Sequence, residues 1–147
     1  MKASIFAACT TLAFALPAFA DGHATGDAEA GKKEFNKCKA CHMIQDADGT
    51  DIVKGGKTGP NLYGIHDRTA GSVEGYKYSK SMVAAGEAGL AWAEEDFVAY
   101  VADPTGFLKE NLGDDGARGK MTFKLKKEEA ARNVWAYLVS VGPDEGS

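Results

Sequence analysis

A chain of 147 residues with 17 basic and 21 acidic side chains, net charge −4, is long enough for one domain with a modest core. The acidic balance argues against nucleic acid as a partner, because that ligand selects a positive footprint. Past the first twenty residues, no stretch is long and apolar enough to cross a bilayer.

The chain opens with Lys2, then an apolar or small run from Ala3 to Phe19 broken only by Ser4, Thr10, Thr11 and Pro17, and closes it with Ala18-Phe19-Ala20 before Asp21. A positive start, a short apolar run and an A-x-A site are the layout of a secretory leader cleaved after Ala20. The run is short for a membrane anchor. The expected division is therefore a leader over 1–20 and a single exported domain over 21–147. Removing the leader leaves 127 residues with 16 basic and 21 acidic side chains, net −5. The lysines are unevenly spread. Lys32, Lys33, Lys37 and Lys39 lie near one end, and Lys120, Lys124, Lys126 and Lys127 near the other. Acids collect at Glu94-Glu95-Asp96 and Asp114-Asp115. Such a pattern fits either a mixed solvated surface or a basic rim facing an acidic partner.

Asp27 can cap a helix over 28–40, with Glu29 and Glu34 towards its positive end. Gly31 and Phe35 share one face of it. The helix leads into Cys38-Lys39-Ala40-Cys41-His42, which holds both cysteines of the exported part, Cys9 leaving with the leader. A thioredoxin-like thiol pair needs a βαβ context, whereas the preceding segment reads as helix. Zinc usually takes four protein ligands, and only His23 and His66 remain besides His42. Covalent haem attachment accounts for all three residues at once: two thiols for the vinyl groups and an imidazole for the iron. A large apolar macrocycle would also enlarge a thin core.

Whether the iron has a second protein ligand decides between electron transfer and the binding of gases or peroxide at an open site. The candidates are Met43, Met82, Met121, His23 and His66. Met43 adjoins His42 and cannot reach the opposite face. His23 lies near the chain start. Met82 falls in 78–83, which reads as a short helix with Met82 in the core. Met121, in Gly119-Lys120-Met121-Thr122-Phe123, follows a polar Gly-rich loop, and from spacing alone it is either a ligand or a core-packing methionine. Further helices are expected over 94–102, ending before Asp103-Pro104, with a further turn over 104–110. A last helix is expected over 127–141, with Val134, Tyr137, Leu138 and Val141 as its apolar stripe, stopped by Gly142-Pro143. Gly31 would let the first and last helices cross closely beside Tyr137. No stretch alternates with period two, so the expectation is an all-α domain with long loops.

Taken together, the motifs Lys33-Glu34-Phe35-Asn36-Lys37-Cys38-Lys39-Ala40-Cys41-His42, Lys57-Thr58-Gly59-Pro60-Asn61-Leu62-Tyr63-Gly64, Arg68, Tyr78, Leu90-Ala91-Trp92, Tyr100 and Lys120-Met121-Thr122-Phe123 resemble the class I c-type cytochromes, in particular the bacterial cytochrome c2 and cytochrome c550 group. The resemblance implies the class I cytochrome c fold, three to five helices and long loops around one haem c held by Cys38 and Cys41. It implies His42 as proximal ligand, its other ring N–H taken by the Pro60 carbonyl, and Met121 as distal ligand. By the same token Tyr100 would aim its hydroxyl at the methionine sulfur. Arg68, Tyr78 and Trp92 would hold the propionates, and Leu62 and Phe123 would pack on the haem, Phe123 near its exposed edge. It also implies a monomeric periplasmic one-electron carrier, not an enzyme, docking transiently through a lysine-rimmed edge. The donor would be a cytochrome bc1 complex; the acceptor would be a photosynthetic reaction centre, a terminal oxidase or a denitrification enzyme. Four positions depart from the family pattern, in three places: Gly119 where threonine is common, His66-Asp67 before Arg68 where an apolar residue and glycine are usual, and Ala93 where serine or threonine would cap a helix.

Overall fold

A computed structural model describes residues 24–143; the expected leader and His23 lie outside the described residues. Five α-helices are described: α1 (Ala28–Glu34), α2 (Lys80–Glu87), α3 (Glu94–Ala102), α4 (Pro104–Leu112) and α5 (Glu128–Ser140). They are joined by loops and one two-stranded sheet, β1 (Ile44–Gln45) with β2 (Asp51–Val53). Among the described residues no helix is long and apolar enough to cross a membrane.

The caps explain most of the helix boundaries. Asp27 accepts a hydrogen bond from the Ala30 N–H at 2.8 Å, starting α1. The helix then tightens into a 3-10 turn over Phe35–Lys37, and the Phe35 carbonyl accepts from both Cys38 and Lys39. The expected single helix over 28–40 is thus an α-helix followed by tighter turns, which carry the chain into the cysteine motif. Ser79 caps α2 through the Met82 N–H at 3.1 Å. Asp103 ends α3 and starts α4, accepting from the Gly106 N–H at 3.3 Å and pairing with Lys124 at 2.8 Å. That double role follows from Asp103-Pro104: Pro104 has no N–H with which to extend α3, yet suits the first turn of α4. Helix α4 is a full nine-residue helix rather than a further turn, with Leu108 fully buried.

The terminal helices cross at backbone contact. A Cβ at Gly31 would lie 1.8 Å from the Asn133 carbonyl oxygen and 2.9 Å from the Tyr137 Cβ, so only glycine fits. One turn on, Phe35 packs its ring at 5.8 Å from that of Tyr137. The buried side of α5 is Ala130, Ala131, Val134, Trp135 and Leu138, spaced as a helical stripe. Phe97 of α3 packs on Trp135 at 5.3 Å.

The sheet departs from the all-helical expectation. Ile44 pairs with Val53 and Gln45 with Asp51, closed by Asp46, whose carboxylate accepts the N–H groups of Asp48 and Thr50. Strands of two and three residues are too short to print an alternating pattern, so the sequence carries no strand signal there.

Helix α3 has Ala93 at its N-cap position, in extended backbone and without a side-chain bond to the first turn. Its acidic start is instead gathered by Arg132 of α5, which reaches Glu94 at 3.3 Å and Glu95 at 2.8 Å, while Thr25 donates its N–H to Glu94. Since the backbone at Ala93 already has cap geometry, Ala93→Ser is expected to raise stability by about 1 kcal/mol in guanidinium unfolding. Asp103→Ala is expected to lower the same midpoint, by uncapping α4 and releasing Lys124.

Candidate functional site

The cysteine motif folds as two successive turns. The N–H groups of Cys41 and His42 both return to the Cys38 carbonyl, at 3.0 and 2.9 Å. A loop over 55–60 lies against it, with Gly56 donating to the Lys39 carbonyl and Gly59 to that of Cys41. At Gly59 a Cβ would stand 2.4 Å from the His42 Cε1, so the imidazole rests on bare backbone. The ring is oriented by the Pro60 carbonyl, 2.9 Å from His42 Nδ1. A carbonyl can only accept, so Nδ1 carries the proton and Nε2 presents its lone pair. Burial lowers the His42 pKa, opposed by the Pro60 bond and assisted by the positive Arg68, so the ring is held neutral, as a metal ligand must be. Burial pushes the Cys38 thiol up to about 11. The two cysteines are not joined to each other.

This edge opens on a cavity of about 340 Å³ that draws its walls from almost every part of the chain, a volume within the roughly 300–1,000 Å³ of cofactor pockets. Cys38, Cys41, His42, Pro60 and Leu62 line it, as do Arg68, Tyr78, Trp92, Tyr100, Met121 and Phe123. The residues that the family resemblance assigns to the haem site therefore border one space, whereas Met43 and His66 do not line it. Most of the wall is hydrocarbon or aromatic, and Ile65, Met82, Phe97, Val101 and Val134 add to it. Met82 is buried, as its helical placement predicts, and also faces the cavity. Phe123 is 42% exposed, at the cavity rim.

Arg68 and Trp92 come together through a short ladder. The Asp67 N–H bonds to the Trp92 carbonyl at 2.9 Å, and the Trp92 N–H to that of Arg68 at 3.0 Å. The Arg68 guanidinium donates to the Tyr63 carbonyl at 2.9 Å, and among the described residues no carboxylate pairs with it. Burial lowers its pKa, with Tyr78 acting in the opposite sense. A half-buried cation without a carboxylate partner gains from an anion, and this wall is placed to receive one from elsewhere. Burial raises the Tyr78 phenol as well and pushes Tyr100 up to about 12, which keeps both as hydroxyl donors. Tyr100 also packs edge-on to Trp92 at 5.1 Å.

The departures from the family pattern have visible compensations. Asp67 adopts the left-handed conformation at φ 55°, where glycine is usual and aspartate is among the better tolerated substitutes, so the turn before Arg68 is retained. His66 packs edge-on to Trp135 at 5.9 Å and approaches Asp67 at 3.6 Å. The loop around Gly119 is pinned at several points. Its N–H reaches Thr105 Oγ1 at 3.4 Å, the Arg118 N–H reaches Ser81 Oγ at 2.9 Å, and the Lys120 ammonium donates to the Lys77 carbonyl. Tyr76 was not singled out in the sequence, yet it lines the cavity and donates its hydroxyl to the Thr58 carbonyl at 2.7 Å. Its neighbour Tyr78 was the only available signal.

A cavity walled by hydrocarbon, edged by two thiols and a neutral imidazole and furnished with a guanidinium that no carboxylate pairs among the described residues fits a haem joined through thioethers. A sequence profile of the family described as cytochrome c matches residues 28–142. The chain belongs to the cytochrome c family. Among its relatives, cytochrome c-550 of Paracoccus versutus is 52% identical over all of this chain and 94% of its own length. Cytochrome c2 of Cereibacter sphaeroides is 56% identical, covering 96% of this chain and 97% of the relative. The crystal structure of cytochrome c2 from Rhodobacter sphaeroides superposes with a TM-score of 0.78 at 59% identity, over 80% of this chain and 97% of that one. The five helices with long loops are thus the class I cytochrome c fold. As a cytochrome c, the chain carries one covalent haem c through its Cys-x-x-Cys-His run, and it transfers electrons rather than catalysing a reaction.

Because the Gly59 backbone is the shelf under the imidazole, Gly59→Ala is expected to displace His42 from Pro60. The overpacking costs about 2–3 kcal/mol and lowers the thermal midpoint by about 10 °C in calorimetry, while both cysteines still attach haem.

Proposed function

We propose that this cytochrome is a periplasmic one-electron carrier, exported by a leader cleaved after Ala20, whose single domain holds iron between His42 and Met121. The observation that carries the reading is that His42, with its proton on the Pro60 side, and Met121, on a loop tied down at Arg118 and Lys120, border the same apolar cavity. Bound haem supplies the Fe(III)/Fe(II) couple, and histidine with methionine favours a raised potential. What the chain supplies is position and dielectric. Pro60 fixes the His42 ring and increases its basicity. Leu62 and Phe123 pack on the macrocycle. Arg68, Tyr78 and Trp92 offer a positive charge and donors to its propionates, which answers the unpaired guanidinium. The Tyr100 hydroxyl, kept protonated by burial, is the donor for the thioether sulfur.

Lys37, Lys120 and the half-exposed Phe123 stand at the cavity lining and mark the docking edge. Lys124 is paired with Asp103 and Lys37 with Glu34, which leaves both weaker contributors than Lys120. The protein works as a monomer, takes electrons from a cytochrome bc1-type donor and passes them to a reaction centre, a terminal oxidase or a denitrification enzyme. Charge steers the encounter, and a small interface allows release.

The test is the visible spectrum of the oxidised protein. The expected result is the weak far-red band of methionine–iron ligation, abolished in Met121→Ala, with no carbon monoxide binding by the reduced wild type at neutral pH. Absence of the band together with ready ligand binding would make the iron site open and the carrier reading wrong.

A further inference from the structure

Phe123 reaches the cavity rim on a segment whose next two residues are fastened to the corner between α3 and α4. The Leu125 N–H bonds to the Val101 carbonyl at 2.7 Å, and the Leu125 side chain is buried. Between them Lys124 turns its ammonium onto Asp103 Oδ1 at 2.8 Å. The same oxygen accepts the Gly106 N–H at 3.3 Å, so one carboxylate both caps α4 and holds the lysine beside Phe123. Both side chains are open to water, Asp103 at 55% and Lys124 at 43%, so an incoming group can reach either of them. Of Lys120, Lys124, Lys126 and Lys127, Lys124 alone has a carboxylate partner among the described residues. Asp103 is not orphaned when that partner leaves. The bonds from Lys124 and Gly106 hold its carboxyl below the usual range, and the charges of Lys124 and Lys126 add to the effect. Gly106 and Lys126 therefore remain to it.

We propose that Asp103 is a specificity-determining residue of the docking edge, keeping Lys124 from diffuse negative charge and releasing it to an acidic protein surface that sets a carboxylate beside the contact for Phe123. Towards a small or distant anion Lys124 stays on Asp103, and the pair presents no net charge. An exposed ion pair holds weakly, so a partner carboxylate brought close by the Phe123 contact displaces Asp103 at small cost. The ammonium exchanges one carboxylate for another, while Asp103 stays on the Gly106 N–H. Long-range attraction then comes from lysines without a carboxylate, and Lys124 adds discrimination at contact. The inference rests on the lysine-rimmed edge being the docking surface.

The experiment is oxidation of the reduced holoprotein by the hexacyanoferrate(III) anion, which takes one electron, followed by stopped flow against ionic strength. Because the chain is net acidic, a rate that falls with added salt reports the local edge. At about 10 mM ionic strength, where screening is weak, Asp103→Asn is expected to speed the reaction about fourfold by freeing Lys124. Lys124→Gln alone is expected to slow it less than about twofold, and Asp103→Asn added to Lys124→Gln to speed it less than about twofold. Asparagine caps a helix as well as aspartate does, so the guanidinium midpoint of Asp103→Asn is expected to stay near that of the wild type. With the tris(phenanthroline)cobalt(III) cation as oxidant, Asp103→Asn is expected to give no gain. Release is read from the Asp103 carboxyl resonance in carbon-13 NMR of the reduced holoprotein, which polyglutamate is expected to shift and sulfate at equal charge is not. An equal gain from Asp103→Asn in both backgrounds, or a gain with both oxidants, overturns the tether. No shift with polyglutamate, or the same shift with sulfate, overturns the selective release. A wild-type rate that does not fall with salt overturns the docking edge itself, and the inference with it.

Discussion

The His42 imidazole lies on the backbone of Gly59 and gives its Nδ1 proton to Pro60. For that contact to exist, the loop over 55–60 must press against the cysteine turns, which it does through hydrogen bonds to Lys39 and Cys41. The cysteine turns must in turn leave α1 at a fixed angle, and that angle is set where Gly31 lets α1 rest on α5. A chain of close backbone contacts therefore runs from the terminal helix crossing to the His42 ring. The remaining wall of the cavity, from Ile65 to Val134, closes over a site whose orientation is already determined. Close packing of this kind transmits displacement rather than absorbing it.

Much of this was written locally. The Cys-x-x-Cys-His run names its own chemistry, Asp27 and Asp103-Pro104 mark helix starts where the structure has them, and Gly31 with Phe35 announces the crossing. Helix α3 has the expected bounds, and α5 differs from expectation by one residue at each end. Other features depend on partners far along the chain. The seat of Tyr76 is made by contacts with Thr58 and Lys120, neither of which is predictable from its own surroundings. The β1–β2 pair is held by an aspartate turn and by Asn61, not by a run of alternating residues. The tightening after Glu34 is a hydrogen-bond choice at the Phe35 carbonyl, which composition does not reveal.

The three departures from the family pattern show how a fold accommodates a local loss. Ala93 gives up a cap, and Arg132 organises the acidic turn beside it from another helix. These groups are largely at the surface, where ion pairs contribute little singly and more as a network, so the exchange preserves geometry more than it adds stability. Asp67 occupies a left-handed turn usually given to glycine, at a conformational cost that the ladder to Trp92 overrides. Gly119 removes a side chain from the methionine loop, and anchors at Thr105, Ser81 and Lys77 hold the loop instead.

The small hairpin is closed on itself. Asp46 satisfies the turn, Gln45 reaches across to Asp51, and at the base Asn61 both gives to and takes from the Gln45 backbone. Around Gly49, at its tip, there is open space. Residues gained or lost at that tip would be absorbed before they reached Asn61, so the loop carrying Pro60 would stay in place. The hairpin is thus a mechanical buffer: a change of chain length at its tip would be taken up there and would leave the seat of the His42 ring undisturbed.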